Sequence, residues 1–178
     1  RKFLLETKDF KESLKKFPKN LKYELAMLNH LVNHNEDFIG TLRKLPLRLR
    51  MMFIHAYQGY VFNKALSYCI DNTLEVERLP LVGFSTDIDD ISARILKEEG
   101  ISQEDFKLEE MPELSSKGNY RDCFQFFENF DIINIPDDNI NQNKRKLTLK
   151  FSLNKGSYAT ALLREFMKNE YWKNEKYN

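Results

Sequence analysis

The sequence predicts an α+β protein, rich in helix and with a few short strands. Three observations carry this expectation. From residue 4 to residue 70 apolar side chains recur at three- and four-residue spacing, the period of an amphipathic helix. Beyond residue 112 the composition turns to Phe, Tyr and Ile, and KLTLKFSL alternates Leu147, Leu149, Phe151 and Leu153 with polar residues, as a half-buried strand does. The chain is also long enough for a sizeable core: 178 residues, 42% hydrophobic and 13% aromatic, are ample for one domain with at most a small appendage.

Taken in order, Leu4 to Leu14 is amphipathic and lysine-rich and stops before Pro18, which disfavours helix at the residue preceding it. Asn20 is a candidate cap for a second helix carrying Leu21, Leu25, Leu28, Leu31 and Val32 and ending near residues 33–35. Asn35 or Glu36 opens a brief third helix through Phe38 and Leu42, and Pro46 punctuates the chain. Leu47 to Ile70 then reads as about six uninterrupted helical turns, in which Gly59 suggests the close approach of another element. LPLVGFST holds a short strand between Pro80 and Gly83. Thr86 or Asp87 is placed to cap a helix through Ile88, Ile91, Ile95 and Leu96 that Gly100 stops, and Ser102 to cap a further turn. Two strands are expected within residues 112–135, a polar loop follows, and the strand at 147–153 turns through Asn154, Lys155 and Gly156. Ser157 is then placed to cap a helix with Ala159, Leu162, Leu163, Phe166 and Met167 on one face.

Several function classes drop out. Six glycines form neither GxGxxG nor GxxxxGK[ST], which removes the usual phosphate cradles of nucleotide hydrolysis and hydride transfer. His30 and His34 stand four apart, but HLVNH lacks the glutamate of HExxH, and Cys69 and Cys123 belong to no metal-binding cluster, so no metal is expected and both cysteines read as core thiols. The carboxylate pairs Asp89 with Asp90 and Glu109 with Glu110 lie in polar surroundings that give no reason for a shifted pKa. No stretch approaches the ~20 apolar residues of a membrane span and RKFLLETKDF is no signal peptide, which makes the cytoplasm the expected compartment.

The net charge of +1 is unevenly spread: residues 1–50 sum to +6, residues 51–140 to −11 and residues 141–178 to +6. Basic ends brought together would attract a polyanion such as nucleic acid, although solvated helix faces account for the same charges. Two stretches place polar groups beside apolar ones. HAYQGYVFN puts His55, Tyr57, Gln58, Tyr60 and Asn63 in the middle of the long helix, where each needs a partner if buried. In LKFSLNKGSYATALLRE a turn feeds a helix N-terminus whose free N–H groups favour an anion, with the hydroxyls of Ser157, Tyr158 and Thr160 and the guanidinium of Arg164 nearby. An ordinary capped helix explains the same residues.

In this order, HAYQGYVFN, LPLVGFST, DFKLEEMPELSSKGNYR and FSLNKGSYATALLRE resemble the TruD family of tRNA pseudouridine synthases, its archaeal members in particular. The family segments read HAYQSYLFN-like, LPLVGY-like, DFK…MPEL…GxYR and FxLPxGSYATxLLRE. Departures are mild: Gly59 for Ser, Val61 for Leu, Phe84 for Tyr and Asn154 for Pro, over a span of residues 55 to 166.

The resemblance implies a largely helical insertion domain, residues 1–143, and a returning strand-turn-helix, residues 144–178, of a catalytic domain built on a mixed sheet. It implies a cofactor-free isomerisation in which an aspartate attacks a flipped uridine of the tRNA D-arm and uracil reattaches through carbon. The family places that aspartate in a KDxxAxTxQ-like motif, which these 178 residues lack, as they lack the FGxQRFG-like segment. The chain begins without Met in family-like sequence and is expected to be a C-terminal part, inactive alone and partnered by tRNA and by the remainder of the catalytic domain. By resemblance Gly156, Ser157, Tyr158, Thr160 and Arg164 support the site or touch RNA, and Tyr57, Gln58 and Asn63 fasten the long helix across the cleft. For those last three, polar pins between packed helices are the competing reading. For the whole chain, the competing reading is a non-catalytic RNA-binding or adaptor module.

Overall fold

A computed structural model describes residues 1–167, and the chain is α+β: seven α-helices and two two-stranded antiparallel sheets among the described residues. It divides into two compact units, Arg1–Cys123 and Phe124–Asn178.

In the first unit the single helix expected at residues 4–14 is two, α1 (Lys2–Thr7) and α2 (Phe10–Lys16). Lys8 adopts a left-handed φ of 53°, and Asp9 restarts the chain by accepting the Glu12 N–H at 2.8 Å, so TKDFKE contains both a stop and an N-cap. α3 (Lys22–Asn33) ends where expected. It starts two residues past Asn20 and carries no side-chain cap. α4 (Phe38–Leu42) is capped by Asp37, which accepts the Gly40 N–H at 2.7 Å, rather than by Asn35 or Glu36.

The long helix α5 (Leu47–Asp71) spans 25 residues, about 37 Å at the usual rise. One side of it, with Val61, Phe62, Ala65 and Cys69, enters a core shared with Leu79, Val82, Ile95, Leu96 and Phe106. Gly59 corrects an expectation: no described element approaches it, since a Cβ built there meets nothing within 4 Å. Both cysteines are free thiols, Cys69 within the core and Cys123 packed against it.

β1 (Arg78–Leu81) pairs with β2 (Asn119–Asp122) in the register Leu79 to Arg121 and Pro80 to Tyr120. Between them lie α6 (Asp90–Glu98) and two single 3-10 turns, Glu104–Phe106 and Pro112–Leu114. Asp89 caps α6, not Thr86 or Asp87: its carboxylate accepts both the N–H and the hydroxyl of Ser92, at 2.9 Å each. Gly100 ends the helix with a φ of 68°, as read from the sequence.

The second unit pairs β3 (Phe127–Asn134) with β4 (Thr148–Leu153) and continues into α7 (Ala159–Met167). β4 keeps its predicted alternation, with Leu149, Phe151 and Leu153 half-buried between exposed neighbours. Phe130 stacks on Phe166 of α7 at 5.4 Å and on Phe151 at 6.5 Å, which seats the helix on the sheet. The two strands expected in residues 112–135 exist but belong to different sheets, β2 reaching back to β1 and β3 forward to β4. Of the C-terminal piece expected at 144–178, residues 168–178 lie outside the described residues.

Candidate functional site

Gln58 lies on the core side of α5, 4% exposed, because it falls one helical turn from Val61 and Phe62. Its carboxamide N–H groups donate to the Val82 carbonyl at 2.7 Å and to the Ser116 hydroxyl at 2.8 Å. One side chain of HAYQGYVFN thus fastens LPLVGFST to MPELSSKGNYR. Gln103 adds a second clasp by donating to the carbonyls of Gly83, at 3.0 Å, and Thr86. The Thr86 hydroxyl in turn donates to the Lys117 carbonyl at 2.8 Å, and the Phe84 N–H to the Ser116 carbonyl at 3.0 Å.

At the centre of this lock two glycines come together. A Cβ on Gly83 would strike backbone of Ser116, Lys117 and Gly118, and one on Gly118, whose φ is +80°, would strike Thr86 and lie 2.7 Å from both the Gly83 nitrogen and the Leu81 carbonyl oxygen. Only glycine fits either position. Three of the four sequence stretches singled out above therefore converge in the first unit, held by hydrogen bonds between side chain and backbone.

The remaining groups of HAYQGYVFN divide by helix face. Tyr57 sits at the core margin with ring centroids 5.9 Å from Tyr60 and 6.2 Å from Phe106, and its buried hydroxyl has no hydrogen-bond partner among the described residues. Burial, then the nearby charge of Glu99, pushes that phenol upward from its usual pKa. Tyr60 donates to Glu99 at 2.8 Å, and Lys64 pairs with the same carboxylate at 2.9 Å; Lys64 first and Tyr60 second hold Glu99 below the ordinary carboxylate range. His55 and Asn63 are exposed.

Sequence reasoning missed a second fastening. Arg50, buried in the apolar start of α5, donates to the Leu45 carbonyl at 3.2 Å and to Glu113 at 2.6 Å, while Arg43 reaches the same carboxylate at 3.2 Å and the Glu110 carbonyl at 2.7 Å. The one available signal was an arginine spaced among core positions in LRLRMMF. These two guanidiniums, Arg43 foremost, bring Glu113 from its ordinary 4.5 down to about 2. A depressed carboxyl contributes stability that is complete above its unfolded pKa and is lost as pH falls through the folded one. Thermal unfolding followed by circular dichroism is therefore expected to show stability declining between about pH 4.5 and pH 2, and Glu113→Gln to flatten that part of the profile. An unchanged acid limb in the variant would count against the pair.

In the second unit the turn after β4 brings Gly156 to a φ of +94°, and none of the described residues beyond its chain neighbours comes within 4 Å of where a Cβ would stand. Ser157 does not serve as the cap expected of it: α7 starts at Ala159, and the Ser157 hydroxyl donates to the Gln125 side chain at 2.8 Å, tying the turn to the strand leading into β3. Tyr158 is 65% exposed, and Thr160 and Arg164 are exposed on the first turns of α7.

Among the described residues no group of three His, Cys, Asp or Glu side chains is arranged to hold a metal ion, and no helix is long and apolar enough to cross a membrane. Asp89 is occupied as a helix cap. What the first unit contains is a hydrogen-bonded, close-packed scaffold, and what the second presents is a glycine turn and a helix start carrying hydroxyls and a guanidinium.

Comparison with known proteins gives this arrangement a context. The model of the family described as tRNA pseudouridine synthase D (TruD) matches residues 1–83 and 76–166. A protein of Methanosarcina acetivorans named a probable tRNA pseudouridine synthase D is 35% identical over 94% of this chain and 49% of its own length. One of the same name from Methanopyrus kandleri is 38% identical over 91% of this chain and 43% of its own. The crystal structure of a Methanosarcina mazei protein, named as a candidate tRNA pseudouridine synthase D (TruD), superposes with a TM-score of 0.82 at 33% identity, covering 94% of this chain and 49% of the other. The chain spans about half the length of the relatives it matches.

Proposed function

Because this chain belongs to the TruD family of tRNA pseudouridine synthases, we propose that it is part of an enzyme converting a uridine of the tRNA D-arm to pseudouridine, without supplying the nucleophilic aspartate itself. The observation that carries this reading is the family match, which runs through both units and includes all four sequence motifs. In it, residues 1–143 act as the insertion domain and residues 144–178 as a returning piece of the catalytic domain, whose remainder is a partner along with tRNA; the reaction takes place in the cytoplasm and needs no cofactor. Gly156, Ser157, Tyr158, Thr160 and Arg164 brace or face the uridine site; the turn at Gly156 and the tie from Ser157 to Gln125 support a positioned helix start there. Gln58 acts through the scaffold, with Tyr57 and Asn63 on the flanks of the same helix.

The test maps pseudouridine by chemical probing after incubating unmodified tRNA with this chain, and then with a longer chain that carries a KDxxAxTxQ-like segment upstream. Pseudouridine is expected with the longer chain and none with the 178 residues alone. Activity of the 178 residues would overturn the claim about the nucleophile; tRNA binding without reaction in both would favour a non-catalytic RNA-binding module. Binding of tRNA to this chain is expected to weaken more than about tenfold between 50 and 200 mM salt, as for two or more phosphate contacts. Salt-independent binding would contradict a role for the basic ends.

A further inference from the structure

Apart from the residues assigned to the site above, the corner between α3 and α4 holds a concavity of about 370 Å3, lined by Ala26, Asn29, His30, Asn33, His34 and Lys44. Its volume lies in the range of roughly 300–1,000 Å3 typical of small-ligand pockets. The corner is built, not incidental. His30 Nε2 stands 2.8 Å from the Asp37 carboxylate, whose other oxygen accepts the Gly40 N–H. A Cβ at residue 40 would fall on the Asp37 carboxylate and 2.6 Å from His30 Nε2, so glycine is what allows the imidazole to be held.

Three chemistries then meet in the pocket. The His30 and His34 rings lie 4.7 Å apart at 35°; the His30 side chain is only 11% exposed and His34 is exposed, so His34 is the ring on which an unstacked base can settle, with His30 backing it. Asn29 and Asn33 stand one turn apart on the same face of α3. Asn33 spends one donor on the Asn29 backbone carbonyl at 2.7 Å, which leaves its side-chain oxygen to accept, while among the described residues the Asn29 carboxamide keeps both donor and acceptor. Together they match the mixed donor and acceptor edge of a nucleobase. Among the described residues Lys44 makes no ion pair, unlike its neighbour Arg43, which is taken up by Glu113. The helix field orders these parts. His34 lies at the carbonyl end of α3, which repels an anion, so a phosphate belongs at Lys44 and the base at the His34 imidazole.

We propose that this pocket binds one unstacked nucleotide of an RNA, its base on the His34 ring, its edge against Asn29 and Asn33, and its phosphate on Lys44. The proposal rests on the reading of the chain as an RNA-binding protein and names a contact that reading does not contain. To test it, the four ribonucleoside 5′-monophosphates and inorganic phosphate are titrated separately into this chain while the histidine ring and asparagine side-chain amide resonances are followed. At least one nucleotide is expected to shift the His30, His34, Asn29 and Asn33 signals saturably and at least tenfold more tightly than phosphate. His34→Ala is expected to weaken it about tenfold or more, the loss of one stacking platform. Because His34 is exposed, its replacement should leave the unfolding temperature unchanged, and Lys97→Ala on α6 should alter neither quantity. Phosphate binding as tightly as the nucleotides, an affinity indifferent to His34→Ala, or no shift at all would overturn the pocket. The pseudouridine assay is independent: nucleotide binding without pseudouridine in the longer chain would keep the pocket and remove the enzyme, and the reverse would do the opposite.

Discussion

Gly118→Ala is expected to prevent residues 1–123 from folding. Two costs combine at this position. A φ of +80° is strained for any residue with a Cβ, by about 1–2 kcal/mol. The larger cost is steric, since the added carbon would lie 2.7 Å from the Gly83 nitrogen and the Leu81 carbonyl oxygen, backbone atoms of the strand β1 and its exit, which cannot step aside without parting β1 from β2. A loss above about 4 kcal/mol is a large share of the 5–15 kcal/mol that holds a typical domain. Gly100→Ala separates the two costs, because Gly100 has a similar φ of +68° but nothing within 4 Å of its would-be Cβ. Circular dichroism melts should show no cooperative transition for Gly118→Ala and a modest loss for Gly100→Ala. Equal effects would mean that backbone strain alone, not the contact with Gly83, makes glycine necessary.

Gln58→Leu keeps the side chain's approximate size and removes its donors, leaving the buried Val82 carbonyl and the Ser116 hydroxyl without them. A lost buried partner costs about 1–3 kcal/mol, and here two acceptors lose the same donor group, so the upper end of that range is expected. Gln58→Glu is sharper, because it matches the shape while turning a donor into an acceptor that faces the Val82 carbonyl. In the ionised form it also places an unpaired charge at a position 4% exposed. Burial raises the pKa of such a carboxyl, so the folded state holds its proton where the unfolded state has released it. The deficit relative to the parent should thus widen as pH rises above about 4.3, the unfolded value for glutamate. That sign is opposite to the acid sensitivity from Glu113, which the parent and the variant share and which cancels in their difference. Urea midpoints of both proteins at pH 5 and pH 8 measure it, and a deficit that does not depend on pH would show that the carboxamide is not the buried donor.

These two positions also show what a sequence discloses. The helix spanning Leu47–Asp71, the strand at Thr148–Leu153 and the stop at Gly100 were legible because each rests on a local rule: a period of 3.6, a period of 2, a left-handed terminus. The caps were read poorly. Thr86, Asp87 and Asp89 offer equivalent side-chain oxygens within four positions, but the Thr86 hydroxyl is engaged by the Lys117 carbonyl and it is Asp89 that meets the Ser92 N–H. The break between α1 and α2 escaped because Lys8 adopts a conformation usually left to glycine or asparagine.

The pattern HAYQGYVFN disclosed that polar groups stand in a buried helix but not which of them is buried. Gln58 turned out to be the clasp, while His55 and Asn63 face outward. Gly59 misled because a glycine in a helix was taken to mark a neighbour, whereas the glycines with real neighbours, Gly83 and Gly118, sit in loops where a sequence reads them only as turns. Their meeting depends on two segments 35 positions apart, and no local rule reports it. The clasps from Gln103 and Arg50 escaped for the same reason.

The separation of those segments along the chain has a consequence for how the protein is made. The contact from Gln58 to Ser116 spans 58 positions, and that from Thr86 to Lys117 spans 31. At about 5–20 residues per second, a ribosome needs roughly 3–12 s to add the intervening residues after Gln58 is joined. Through most of that interval the side of α5 bearing Val61, Phe62 and Ala65 has been synthesised while Ser116, the hydroxyl that completes the Gln58 clasp, has not. Over those seconds the apolar side of α5 lacks the segments that cover it in the folded chain, the condition under which nascent chains aggregate.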